Sequence, residues 1–257
     1  MSTPEEPIAN RVIVHGASNV TIGLPTVVRL IHSGFDGPVQ IDIADGHGRS
    51  YGIGTSVLLR GLPGHTMRPI PPAAPANKTS AILTDIGNDL VYSIPVTQIA
   101  EWVWARAEQL VELGAELVLT ELPLESIATL SKTRFAFFRT LFFPGSTVEF
   151  SELREAAQQL NESVREIASA LNAKLVVPQA AWYGFDPIHI RRSARRDAWT
   201  HIMNTWSDWS EPESLKPSAV GSVRIWTSKS QYGSWRGKDR THSKTLALDS
   251  RTTLRFF

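Results

Sequence analysis

The chain has 257 residues, and 42% of them are hydrophobic, which is enough to bury the core of one large domain. Its formal net charge of +1 gives no overall electrostatic attraction for nucleic acid or for an acidic partner, so no nucleic-acid partner is expected. The absence of cysteine excludes disulfides, thiolate catalysis and zinc held by cysteine.

The N-terminal stretch 1–10 is polar and carries Glu5 and Glu6, which predicts a flexible leader rather than a signal peptide. No apolar run approaches the roughly 18 residues that a membrane-spanning helix needs. We therefore expect a cytoplasmic protein without a membrane span, and the sequence leaves its oligomeric state open.

Short runs rich in β-branched and aliphatic residues predict five strands, and amphipathic stretches between them predict helices. The predicted strands are Val12–Val14, Val39–Ile43, Ala81–Ile86, Glu116–Leu119 and Lys174–Val177. The predicted helices are Thr26–His32, Val96–Leu113, a helix that begins at an N-cap Ser151 and runs to about Leu171, and a basic helix that ends near Trp206. This alternation predicts an α/β fold, a doubly wound, flavodoxin-like parallel sheet with helices on both faces.

Three stretches depart from the alternation of strands and helices. Residues 62–80 are rich in proline and predict a surface loop, whereas residues 124–150 are aromatic and irregular. The tail from residue 220 predicts short strands and turns, with Thr252–Phe257 the clearest alternation. We therefore divide the chain into a leader (1–10), one domain (11–210) and a β-rich C-terminal extension (211–257) packed on that domain.

Polar residues that suit acyl transfer follow four of the predicted strands. Ser18 follows the first strand, Gly48 the second, Asn88 the third, and His189 the fifth, with Asp186 three residues before it. The carboxyl ends of parallel strands meet at one edge of a sheet, so these residues are expected to gather there. A nucleophilic hydroxyl, an imidazole base, a carboxylate that orients the base and donors for an oxyanion are the parts that acyl transfer needs.

The order of these residues resembles the SGNH (GDSL-type) hydrolase family, which is named for its four sequence blocks. The resemblance covers roughly residues 11–205, and each block follows a predicted strand. The matching blocks are His15-Gly-Ala-Ser-Asn, Gly46-His-Gly-Arg-Ser, Ile86-Gly-Asn-Asp89 and Asp186-Pro-Ile-His189.

This resemblance implies that Ser18 is the nucleophile, that His189 is the general base and acid, and that Asp186 orients the imidazole. It also implies an oxyanion hole made of the backbone N–H groups of Ser18 and Gly48 and the side-chain amide of Asn88. The chain departs from the family at Ala17, where the first block usually has aspartate. The second block is loose, and the alternatives to Gly48 are Gly46, Gly52 and Gly54.

Other residues have both a structural and a functional interpretation. Asn19 is expected to brace the nucleophile turn and is a candidate substrate contact. Arg191 belongs to a basic cluster that is either a solvated helix face or a site for a carboxylate or phosphate of the substrate. Phe138 and the neighbouring phenylalanines are either core packing or an acyl-binding wall. The tail from Arg224 holds eight Lys and Arg against two Asp among tryptophans, which is typical either of a packed β extension or of a surface for sugar or nucleic acid.

The sequence therefore predicts a serine esterase that acts on a small-molecule or glycan ester through an acyl-enzyme on Ser18. Acyl transfer to an alcohol at the same site and a catalytically inactive binding protein for carbohydrate or nucleic acid are the alternatives. We expect no cofactor, and we expect no catalytic metal because the histidines are scattered without a His-Glu-x-x-His pair.

Overall fold

A single seven-stranded sheet organises the protein. The computed structural model describes residues 8–53, 69–72, 76–142, 148–215, 233–235, 238–240 and 245–257. The strands are β1 (Ile8–His15), β2 (Val39–Ala44), β3 (Ala76–Leu83), β4 (Ala115–Thr120), β5 (Lys174–Val176), β6 (Gly233–Trp235), β7 (Lys238–Arg240), β8 (Thr245–Ala247) and β9 (Thr252–Phe256). β6 and β7 form a separate antiparallel pair, and the others form the main sheet.

Six α-helices are described. They are α1 (Ser18–Gly34), α2 (Val96–Glu112), α3 (Leu124–Ala128), α4 (Lys132–Phe142), α5 (Phe150–Ala170) and α6 (Arg195–Met203). A 3₁₀ helix, Ile86–Tyr92, follows β3, and shorter 3₁₀ turns precede α6. None of the described helices has the length and apolar character that crossing a membrane requires.

The strand order of the main sheet is β5-β4-β3-β1-β2-β9-β8. Neighbouring strands run parallel as far as β9, and β8 is antiparallel to β9. The five strands β1–β5 thus have the flavodoxin-like order, in which the connections reverse direction between β1 and β3. The predicted α/β fold with a parallel sheet is confirmed, and two C-terminal strands extend the sheet from five strands to seven.

Both faces of the sheet are buried, which explains the continuously apolar runs Val12–Val14 in β1 and Leu117–Leu119 in β4. In β1, Val12 and Val14 pack with α1 and α6 on one face, whereas Ile13 packs with α2 and α5 on the other. All three side chains have no exposed surface. The sheet therefore has helices on both faces, as the doubly wound arrangement requires.

Several boundaries differ from the predicted ones. β1 begins at Ile8, so residues 8–10 belong to the sheet and not to the predicted leader, while residues 1–7 lie outside the described part of the chain. β3 begins at Ala76, inside the stretch predicted as loop, because the polar residues at its start still pair with β1. It ends at Leu83, three residues before the predicted end, because a left-handed Asp85 and a 3₁₀ helix follow.

The helices also correct the prediction in three places. α1 begins at Ser18 and continues through Pro25, because the packing of its buried face outweighs the hydrogen bond that proline cannot donate. Part of the stretch 124–150 predicted as irregular is helical, as α3 and α4. α5 begins at Phe150 with Glu149 as its N-cap, not Ser151, because Glu149 and Glu152 form a reciprocal capping box.

The C-terminal strand β9 is joined to the centre of the sheet by a buried ion pair as well as by backbone pairing. Asp42 of β2 has no exposed side-chain surface and accepts hydrogen bonds from Arg11 of β1 (2.8 Å) and from Arg255 of β9 (2.6 and 2.8 Å). These contacts fix β9 beside β2. The side chains of Trp226, Tyr232 and Trp235 in the predicted basic tail lie outside the described residues, and the division of the chain at residue 210 stays a prediction.

Candidate active site

The predicted site residues lie at the carboxyl edge of the sheet, where the strand connections reverse between β1 and β3. β1 ends at His15, and the turn at Gly16 and Ala17 leads directly into α1, whose first residue is Ser18. A Cβ on Gly16 would lie 2.4 Å from a methyl carbon of Val20 and 2.8 Å from one of Thr84. Glycine at this position therefore lets the turn lie close against the end of β3.

A hydrogen-bonded series joins a hydroxyl, an imidazole and a carboxylate. His189 Nε2 is 2.8 Å from Ser18 Oγ, and His189 Nδ1 is 2.6 Å from Asp186 Oδ2. With a neutral ring, Ser18 donates its hydroxyl proton to Nε2 and the Nδ1–H donates to the carboxylate. Ser18 is 7% exposed, whereas the side chains of His189 and Asp186 are 18% and 31% exposed. The structure thus brings together the three residues predicted as nucleophile, base and orienting acid.

A tight loop holds Asp186 against His189. Asp186 Oδ1 accepts hydrogen bonds from the backbone N–H groups of Ile188 (3.1 Å) and His189 (3.2 Å). Burial raises the pKa of the Asp186 carboxyl, but the hydrogen bond and charge of His189 and these two N–H groups outweigh burial, so its pKa lies below the ordinary value. Asp186 is therefore ionised at neutral pH and holds the Nδ1–H form of the ring.

The predicted oxyanion residues differ in their relation to Ser18. Asn88 lies in the 3₁₀ helix after β3 and lines the same cavity as Ser18, and its Nδ2 donates a long hydrogen bond of 3.3 Å to the carbonyl of Arg49. Gly48 has a left-handed backbone (φ 60°), and its carbonyl accepts a hydrogen bond from the hydroxyl of Tyr92 at 2.6 Å. It is not among the residues that line that cavity.

The alternative glycines differ in their surroundings. A Cβ on Gly52 would lie 2.1 Å from the ring of Trp102, so this glycine accommodates packing. Gly46 lies against Arg49, and Gly54 is outside the described residues. Which glycine completes an oxyanion hole stays a prediction.

The three candidate substrate contacts occupy different places. Asn19 lines the cavity beside Ser18. Phe138 is buried and packs its ring 5.4 Å from that of Phe185, outside the described cavity wall. Arg191 is exposed and also outside that wall, and Arg195 of the same basic cluster donates to the carbonyl of Ile22 on α1 at 2.9 Å. Only Asn19 among these candidates therefore lies in the cavity.

An apolar cavity opens beside Ser18. It has an empty volume of about 840 Å³, counting the space that is open to solvent. One side is formed by the 3₁₀ helix after β3, by the segment after β4 and by α5, and the other by residues around the His189 loop. Its apolar lining residues include Ile86, Leu90, Val91, Leu122, Ile127, Leu153, Ala157, Trp182, Tyr183, Ile188 and Ile190. The cavity therefore suits an apolar group attached to a bond at Ser18.

One residue of the site, Asp85, was not predicted from the sequence, because it lies within the stretch predicted as the third strand. It has a left-handed backbone (φ 58°), and its carboxylate binds the turn that carries Ser18. A charged residue at the end of an apolar run, directly before the Ile86–Asp89 block, was the available signal. Nowhere among the described residues, this site included, are three His, Asp or Glu side chains grouped as metal ligands.

Comparison with known proteins finds a likeness in structure but none in sequence. No protein-family model matches the chain, and no curated protein sequence matches it. Among solved structures, the chain is similar to the psychrotrophic esterase EstA from Pseudoalteromonas sp., in a crystal structure inhibited by monoethylphosphonate. The two are 13% identical, the match covers 77% of this chain and 98% of that chain, and the TM-score is 0.44.

Proposed function

We propose that this protein is a serine esterase of the SGNH type, which hydrolyses a carboxylic ester through an acyl-enzyme on Ser18. The observation that carries the proposal is the hydrogen-bonded series from Ser18 through His189 to Asp186, with distances of 2.8 and 2.6 Å, beside an apolar cavity. Buried hydroxyls find partners in many ways, but an imidazole with a hydroxyl on one nitrogen and a carboxylate on the other has the arrangement of an activated nucleophile.

Acylation begins when Ser18 Oγ attacks the ester carbonyl carbon and its proton moves to His189 Nε2. The Asp186 carboxylate, ionised because its pKa is lowered, stabilises the imidazolium that forms. When the tetrahedral intermediate collapses, its bond to the alcohol oxygen breaks and that oxygen takes the proton from Nε2. The products of this half-reaction are a free alcohol and an acyl group on Ser18.

Deacylation uses the same groups in the reverse direction. A water molecule gives a proton to His189 Nε2 as its oxygen attacks the acyl carbon, and collapse of the second intermediate returns the proton to Ser18 Oγ. The carboxylic acid leaves, so that one ester and one water become one acid and one alcohol. The reaction needs no cofactor.

Donors for the two oxyanions are available at the start of α1 and on the neighbouring 3₁₀ helix. Ser18 is the first residue of α1, where backbone N–H groups lack intrahelical acceptors and the helix dipole favours negative charge. The Asn88 amide lines the same cavity and is held by one long hydrogen bond, so it can turn toward an oxyanion. Gly48 is the third predicted donor.

The cavity supports a small-molecule ester with an apolar acyl chain over a glycan ester. Ser18 lines the cavity, whereas His189 is not among the residues that line it. The alcohol must leave beside His189 Nε2, which protonates it, while the acyl group stays attached to Ser18. The acyl chain therefore occupies the cavity, and the alcohol faces the more open side of the site.

The experiment that tests this proposal compares wild type with Ser18→Ala on p-nitrophenyl acetate and butyrate and with a fluorophosphonate probe. Ser33→Ala is the matched control, since Ser33 is exposed near the other end of α1. We expect turnover with a burst of p-nitrophenol and labelling in wild type and in Ser33→Ala, and a loss of at least roughly 10³-fold in Ser18→Ala.

Two other outcomes would contradict the proposal. Turnover and labelling that survive in Ser18→Ala would show that another residue is the nucleophile. Wild type that neither reacts nor labels would favour the inactive binding protein. Addition of an alcohol to the butyrate assay separates hydrolysis from acyl transfer, because transfer would yield the new ester in place of the free acid.

A further inference from the structure

The turn that carries Ser18 has no capping side chain of its own. The N-cap position of α1 is Ala17, which is 1% exposed and has no side-chain acceptor for the first N–H groups of the helix. Such groups need acceptors when they are buried. Asp85 supplies one from a distant part of the chain, because its Oδ2 accepts hydrogen bonds from the N–H groups of Ala17 (2.8 Å) and Asn19 (2.9 Å). The N–H of Ser18, between them, is not bound by Asp85.

The sheet places Asp85 at this turn. β3 pairs in parallel with β1, with His15 opposite Leu83, and the N–H of Thr84 donates to the carbonyl of His15 at 3.0 Å. Asp85 then adopts a left-handed backbone conformation, with φ 58°. Glycine, asparagine and aspartate adopt this conformation more readily than most other residues. This backbone conformation directs the carboxylate toward α1 instead of continuing the strand.

Asn19 extends the contact from the serine turn to the histidine loop. Its Nδ2 donates to Asp85 Oδ1 (2.7 Å) and to the carbonyl of Ile188 (2.9 Å), and its Oδ1 accepts from the N–H of Ile190 (2.8 Å). Ile188 and Ile190 flank His189. Asp85 therefore hydrogen-bonds directly to the backbone on each side of Ser18. Through the side chain of Asn19 it is also connected to the backbone on each side of His189.

We propose that Asp85 is a positioning residue for the reaction, which sets the distance between Ser18 Oγ and His189 Nε2 by capping α1 and, through Asn19, by holding the His189 loop. The proposal rests on the proposed esterase function, for which that distance matters. It also accounts for the departure at Ala17, since the carboxylate at this turn comes from the end of β3. A misplacement of the reacting groups by about 1 Å can lower the rate roughly 10²-fold.

Asp85→Asn is the sharpest perturbation because it keeps the shape of the side chain. In wild type both carboxylate oxygens accept hydrogen bonds, one from backbone N–H groups of the turn and the other from the side-chain amide of Asn19. The NH₂ group of the new asparagine must therefore face one of these donors, and the hydrogen bonds on that side are lost. The exchanged double variant Asp85→Asn with Asn19→Asp restores an amide-to-carboxylate hydrogen bond between the two positions and keeps an acceptor for the N–H of Ile190. It loses the donor to Ile188.

We expect Asp85→Asn to lower kcat roughly 10²-fold with KM within about threefold of wild type, and the exchanged double variant to recover much of that loss. Asp36→Asn is the matched control, because Asp36 is exposed just beyond the C-terminal end of α1. Thermal unfolding of each variant identifies any that is not folded at the assay temperature. Unchanged kcat in folded Asp85→Asn, or a loss that the exchange does not reduce, would overturn the proposal.

A spectroscopic readout separates this proposal from the proposed function. The proton on His189 Nδ1 is hydrogen-bonded to Asp186. Its NMR resonance depends on the geometry of that hydrogen bond and can be measured whether or not the protein is active. We expect this resonance to shift or broaden in Asp85→Asn and to return in the exchanged variant. An unchanged resonance overturns the positioning role, even in an inactive protein, whereas inactivity of wild type with the expected shift overturns only the esterase function.

Discussion

His15 should make the stability of this protein depend on pH, because its ring is fully buried. The ring is 0% exposed, stacks 5.2 Å from the ring of Phe257, and neither of its nitrogens has a partner among the described residues. Burial, and after it the charges of Arg106 and Arg49, lowers the pKa of His15 well below the ordinary value. The folded protein therefore keeps this histidine neutral in mild acid.

The sign of the effect follows from the proton that the unfolded chain binds. Below about pH 6.5 the unfolded histidine is protonated while the folded one is not, so the unfolded state binds more protons and the free energy of unfolding decreases as the pH is lowered. The slope is about 1.4 kcal/mol per pH unit until the pH reaches the lowered pKa of the folded state. Acidification therefore lowers the free energy of unfolding through His15 until the pH reaches the pKa of the folded state.

The assay is urea unfolding of wild type and His15→Leu between about pH 7.5 and about pH 4.5. Carboxylates titrate in both proteins, so the difference between their free energies of unfolding isolates His15. We expect this difference to shift in favour of the variant by up to about 1.4 kcal/mol per pH unit below about pH 6.5. His201→Gln is the control, since His201 is exposed on α6. A difference that stays flat with pH, or an equal change in His201→Gln, would refute the reasoning.

Three further predictions concern other parts of the molecule. Asp42→Ala leaves the guanidinium groups of Arg11 and Arg255 without their buried partner, and we expect it to lower the free energy of unfolding by about 3–5 kcal/mol, measured by urea denaturation. Asp186→Asn should lower kcat roughly 10²- to 10⁴-fold. Because the pKa of Asp186 lies below the ordinary value, the wild-type carboxylate should become protonated, and its contribution to kcat should be lost, only below about pH 4. Ala157→Leu fills part of the cavity, and we expect it to lower kcat/KM for p-nitrophenyl hexanoate relative to acetate by roughly thirtyfold. This factor corresponds to about 2 kcal/mol of lost burial for the methylene groups of the hexanoyl chain that the leucine displaces.

Each of these predictions has an outcome that would contradict it, and two of them have a matched control variant. Asp197→Ala changes an exposed aspartate of α6 and should leave stability nearly unchanged, whereas a small effect of Asp42→Ala would mean that the ion pair does not stabilise β9. Equal kcat in Asp186→Asn and wild type would remove the carboxylate from the mechanism. Ala170→Leu makes the same change at an exposed position of α5, and an equal loss for acetate and hexanoate in Ala157→Leu would show that the acyl chain lies elsewhere.

The local pattern of the chain was sufficient for the elements that are regular and buried. The amphipathic spacing of α2 predicted a helix from Val96 to within one residue of its observed end. The alternation in β2 and the apolar run of β4 predicted strands that the structure extends by one or two residues. These elements bury a face whose period is visible in the sequence itself, so that burial and local conformation agree.

The sequence also determined which residues meet at the candidate site. Ser18 and His189 are 171 positions apart, yet each follows a strand of a parallel sheet, and such strands end at one edge. The order of the strands cannot be derived from that rule. In the structure β3 and β4 lie between β1 and β5, so His189 reaches Ser18 by way of the loop that follows β5 and not from a neighbouring strand.

Only the tertiary structure decided the features that depend on a partner distant in sequence. The polar start of β3 becomes a strand because β1 pairs with it, and α1 passes through Pro25 because its buried face packs on the sheet and α6. Asp85 reaches Ala17, in the turn before Ser18, across 68 positions, and nothing near Asp85 indicates its target. A local pattern reflects a local period of burial, whereas a long-range hydrogen bond depends on where the completed sheet places its two ends.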